Sequence, residues 1–164
     1  MKEISMNITA IHIELLLKES FFGLIVMSAV VMFNIYSFVW ISLVYRKRLK
    51  GSKFHGQHYE MIRFVAYTML LAVAMLVSLS IWVLALAGFG FVADWLMALL
   101  FVAGFFTTVG NISLNLPEGW RLIPSIIAFS GLFSFAWATA ISIGMARDLT
   151  IHMDKHKKSD SSSA

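Results

Sequence analysis

Thr107-Thr108-Val109-Gly110 is the stretch of this sequence whose residue types are suited to hold an ion. Two hydroxyls and a run of backbone carbonyls can replace the hydration shell of a monovalent cation. Asn111 and Ile112 continue the run, so the candidate coordinating residues are Thr107, Thr108, Val109, Gly110, Asn111 and Ile112. Other chemistry finds little to stand on. His55 with His58, and His152 with His156, have spacings that could bring two imidazoles together, but a metal site needs more ligands and a supporting shell. Both pairs lie in basic segments that are expected to be solvated. With no cysteine there is no thiolate or disulfide. No nucleophile–base pair, phosphate loop or nucleic-acid module is apparent, so no enzyme, cofactor or nucleic-acid partner is expected.

The elements that must position this loop are set by composition. Of 164 residues, 59% are apolar and 13% charged, and the mean hydropathy is +0.80. A water-facing domain carries roughly 25% charged residues, so most of this surface belongs in lipid and the fold class is an all-α integral membrane protein. Residues 20–45, 64–89 and 122–146 hold no Asp, Glu, Lys or Arg. Each exceeds the roughly 20 residues needed to cross a hydrocarbon core. Within 92–117, only Trp95 to Phe106 is helical in pattern, about 18 Å at 1.5 Å per residue. That is about half of a 30 Å core, so 92–117 reads as a re-entrant hairpin whose irregular backbone needs protein or water around it. The expected organisation is an N-terminal segment 1–19, a transmembrane domain 20–148, and a disordered tail 149–164. Ile4, Ile8, Ile11 and Leu15 recur at helical spacing, so the first segment reads either as an interfacial amphipathic helix or as an extension of the first span. No cleavable signal peptide is apparent.

Charge sets orientation. Arg46, Lys47, Arg48, Lys50, Lys53 and Arg63 cluster between the first two spans, whereas 90–121 holds only Arg121. Basic loops stay in the cytoplasm, which puts the N-terminus and the hairpin outside and the C-terminal tail inside. The same cluster could attract anionic headgroups, although orientation is explanation enough. Ser130, Ser134, Ala138 and Ser142 form a stripe of small residues that reads as a packing seam. Asn34, mid-span, calls for a hydrogen bond to another helix.

With these pieces assembled, residues 80–148 resemble the pore-loop potassium channel superfamily, particularly its small bacterial members with an extra N-terminal helix. Ala93-Asp94-Trp95-Leu96-Met97-Ala98-Leu99-Leu100-Phe101 resembles the pore helix. Thr107-Thr108-Val109-Gly110 matches the start of the selectivity filter, and Leu116-Pro117-Glu118-Gly119-Trp120-Arg121-Leu122 is similar to the stretch that follows it. Gly131 falls at the hinge glycine of the inner helix, and Ser134-Phe135-Ala136-Trp137-Ala138-Thr139-Ala140 resembles its continuation. The resemblance implies a two-helix potassium-channel pore with one helix added. It also implies a homotetramer around one ion axis, a bacterial inner membrane, K+ as the permeant ion and a gate that bends at Gly131.

The departures fall within the filter. Asn111 stands where the family has tyrosine, Ile112 where it has its second glycine, and Ser113 where it has aspartate. A β-branched residue is a poor substitute for glycine at positive φ, and asparagine is too small to brace the loop. Fewer consecutive carbonyl sites weaken selection of potassium over sodium. The expectation is therefore a tetrameric cation channel with weakened K+ selectivity. The alternative is a non-conducting membrane protein of the same fold that docks on another membrane subunit.

Overall fold

The computed structural model describes residues 2–51, 56–90, 92, 94–110, 120 and 122–162. The regular elements among the described residues are all helices: α1 (Lys2–Gly51), α2 (Gln57–Gly88), α3 (Trp95–Phe106) and α4 (Ile123–Ser162). Three apolar stretches are long enough to cross a membrane: Leu16–Leu49, Gln57–Gly88 and Ile123–Lys155. In the most apolar window of each, 28%, 33% and 28% is buried. The outward side chains include Phe21, Met32, Tyr36, Leu43, Ile62, Met69, Phe129 and Ile143. A surface this apolar suits lipid and not water.

The helices run on past their apolar stretches. The first segment joins the first span without a break, because α1 is one continuous helix from Lys2. Nor is the tail irregular: α4 continues to Ser162, where disorder from 149 onward was expected. Leu149 is buried and Asp148 is ion-paired, so packing holds this part of α4 where composition alone suggested nothing would.

The chain forms two compact units, Met1–Phe33 with Val77–Ser134, and Asn34–Leu76 with Phe135–Ala164. The core of the first contains Val26, Val30, Trp82, Leu86, Phe101, Val102, Phe106, Ile123 and Ile127. Trp82 Nε1 donates a 2.8 Å hydrogen bond to Ser130 Oγ, and the Ser130 hydroxyl in turn donates to the Ile127 carbonyl. Ser130 and Ser134 are wholly buried. Ser130 and Ser134, two of the four residues of the small-residue stripe, are therefore packed here.

The second unit is centred on Tyr45, whose ring meets those of Tyr67 and Phe64 edge-on at 5.4 and 6.4 Å. Glu60, fully buried in the first turn of α2, pairs with Arg63. Arg46 of α1 reaches Asp148 of α4 at 2.7 Å, with the two side chains 50% and 32% exposed. Water screens a pair this open. A double-mutant cycle on Arg46→Ala and Asp148→Ala, read by denaturant titration, should give a coupling of about 1 kcal/mol or less.

Candidate functional site

The candidate site lies in the first unit and is built on α3. Asp94 caps the helix: its Oδ1 accepts from the Leu96 N–H at 3.0 Å. Ala98, Phe101, Val102 and Phe106 recur at helical spacing and form the buried face. Trp95, Leu96, Leu99 and Leu100 are exposed.

At its far end α3 stops in the residues that the sequence nominated. Thr107 takes φ −88° and ψ 2°, and Thr108 takes φ +62°. Left-handed backbone just past a helix is the usual way to turn the chain and satisfy the last carbonyls. The N–H groups of Thr107, Thr108 and Gly110 donate to the carbonyls of Ala103, Phe105 and Gly104 at 2.9–3.0 Å. Thr107 Oγ1 adds a 2.7 Å bond to Ala103 O. Thr107 is therefore a capping residue whose hydroxyl points back along its own helix. Gly110 has φ +63°, a conformation that side chains disfavour. Thr107, Thr108, Val109 and Gly110 are all exposed. Asn111 and Ile112, the remaining filter candidates, lie outside the described residues.

Gly131 meets α3 directly. A Cβ built on it would lie 2.0 Å from the Phe106 carbonyl oxygen and 2.8 Å from its carbon. No side chain fits there, so glycine is what lets the backbone of α3 rest on α4. This contact gives Gly131 a packing role, whatever bending the helix undergoes.

The two ends of the segment holding α3 come back to one ring. Phe22 of α1 meets Phe89, just beyond α2, edge-on at 4.9 Å, and Trp120, just before α4, at 5.5 Å. Beside Phe22, Glu19 is fully buried and its Oε1 accepts the N–H groups of Leu122 and Ile123, the latter at 2.8 Å. A carboxylate from α1 thus caps the N-terminus of α4, where the helix dipole favours negative charge. Sequence reasoning passed over Glu19. Its only local signal is an acid at the edge of an apolar run, and its partners lie more than a hundred positions away.

The histidine pairs are divided. His58 is exposed and His55 is outside the described residues. His152 lines a cavity of about 180 Å³ with Arg46, Leu49, Asp148, Ile151 and Lys155.

Comparison with protein families, with curated proteins and with solved structures finds no match to this chain. The reading of the site rests on its geometry and chemistry.

Proposed function

We propose that residues 92–117 form a re-entrant pore hairpin and that the protein is a tetrameric, potassium-type cation channel with weakened K+/Na+ discrimination. The observation that carries this reading is a polar loop at depth. Phe106 rests on Gly131, eight residues into α4 and so about 12 Å along it. Of the four residues that follow Phe106, Thr107 and Thr108 are polar and Gly110 bares its backbone, and all four are exposed in the single chain. Such backbone is tolerated at membrane depth only where protein or water surrounds it. Four copies around an axis would supply both. The convergence of Phe89 and Trp120 on Phe22 supports a segment that returns to the level where it began. The carbonyl end of α3 carries partial negative charge, which favours a cation in front of it.

In this channel the Thr108 hydroxyl and the carbonyls of Thr108, Val109 and Gly110 line the ion path. The basic end of the spans faces the cytoplasm of a bacterial inner membrane, and the hairpin opens outward. Protein reconstituted in vesicles should pass K+ and Na+ at rates of the same order. Gly110→Val should abolish that flux, because a β-branched residue is strained at φ +63°. Strong potassium selectivity would overturn the weakened filter, and a monomer in native mass measurements would overturn the tetramer.

One observation favours a non-conducting reading: the Thr107 hydroxyl is already spent on the helix end. In that case the protein assembles with another membrane subunit, and Gly110→Val leaves assembly intact with no flux to lose.

A further inference from the structure

Val44, Lys47, Arg48 and Gly51 follow an i, i+3, i+4, i+7 spacing and share one face of α1. With Tyr59 and Arg63, one turn apart on α2, they line an open groove of about 610 Å³ in the second unit. Arg46, the neighbouring cation, is directed elsewhere, to Asp148. Arg63 is nearly buried, at 11% exposure, and is held by Glu60. Lys47 and Arg48 are exposed, and none of the residues lining the groove is acidic.

The groove lies where one apolar stretch ends at Leu49 and the next begins at Gln57. Lipid headgroups meet a spanning helix at this level. Exposed Leu43 lies one turn from Lys47 on α1, and exposed Ile62 lies between Tyr59 and Arg63 on α2, so apolar surface adjoins the cations. Tyr59 supplies the amphipathic ring common at such boundaries.

We propose that this groove is a binding site for the phosphate of an anionic phospholipid. Lys47 and Arg48 contact the phosphate from α1, the Arg63 guanidinium forms the floor, and the acyl chains lie along Leu43 and Ile62. Basic recesses between spanning helices hold anionic headgroups by this combination of converging charge and adjoining apolar surface. The proposal rests on α1 and α2 as apolar helices that meet lipid and is independent of whether the protein conducts.

The test uses the full chain, delipidated in detergent and offered equal amounts of phosphatidylglycerol and phosphatidylcholine, with retained lipid counted by native mass spectrometry. Phosphatidylglycerol should be retained preferentially, and Lys47→Ala/Arg48→Ala should weaken that retention at least about tenfold. Arg147→Ala/Lys155→Ala removes the same charge from exposed positions on α4 outside the groove and should leave retention within about twofold. If the double variant misfolds, Lys47→Ala and Arg48→Ala singly should each show a loss of about threefold or more. Equal retention of the two lipids, or equal losses in the two double variants, overturns the proposal. It also falls if inorganic phosphate raises the melting temperature of the lipid-free protein as much as phosphatidylglycerol does, because the ligand is then free phosphate.

Discussion

Gly131→Ala should detach α3 from α4 at a cost of about 3 kcal/mol, the upper end of what overpacking usually costs. The added methyl group would lie 2.0 Å from the Phe106 carbonyl oxygen. That neighbour is backbone, so no rotamer change relieves the clash. Either α3 moves away or α4 bends, and both open the core around Phe101, Val102, Phe106 and Ile127. Gly144, in the same helix, provides the control. A Cβ there would meet only the Arg46 guanidinium, at an ordinary 3.8 Å. Gly144→Ala should therefore be neutral or stabilising by up to about 1 kcal/mol, through the helix preference of alanine. Denaturant titration in detergent reads both energies. Hydrogen exchange should show the amides of α3 losing protection in Gly131→Ala alone. Equal stability of the two variants would mean that the close approach of Phe106 is not maintained in the protein.

Glu19→Ala should be nearly as damaging, at about 3 kcal/mol. It leaves the N–H groups of Leu122 and Ile123 without their acceptor, and a buried donor stranded in this way costs about 1–3 kcal/mol. Glu19→Gln keeps an acceptor oxygen of the same reach and gives up only the interaction of charge with the helix dipole. Its cost should stay within about 1 kcal/mol. Glu19→Asp is too short to reach and should resemble the alanine variant. The order alanine, aspartate, then glutamine, from most to least damaging, identifies a cap. If glutamine proved as harmful as alanine, the charge and not the hydrogen bonding would be the important feature. Because Phe22 sits beside Glu19 and contacts both Phe89 and Trp120, loss of the cap should also loosen the two ends of the segment that carries α3.

Particular elements show how far the primary structure could be read. The limits of α3 are those its apolar run implies, Trp95 to Phe106, because a short apolar helix ending in Thr-Thr-Val-Gly carries its own stop signal. The three long helices follow the uncharged stretches for the same local reason. Their ends were less legible. α1 begins at Lys2 and α4 reaches Ser162, both well beyond the charge-free runs that mark the spans. The sequence nominates Thr107 to Ile112 together, and the structure makes Thr107 part of the helix cap. Whether a hydroxyl turns outward or back along its helix depends on one side-chain torsion, χ1, and the residue type does not specify it.

What sequence alone determined is the lipid-facing character of the chain, the number of long helices and the position of a polar loop between two of them. These follow from the local density of charge and apolar side chains, since no other chain segment is needed to decide that a charge-free run of more than twenty residues belongs in hydrocarbon. Only the tertiary structure decided that Gly131 makes room for a backbone, that Glu19 caps a helix 104 residues later, and that Lys47 and Arg48 share a groove with Arg63 while Arg46 does not. Each of these depends on which groups meet across distant parts of the chain. Spacing along one helix says which residues share a face, but not what that face will touch.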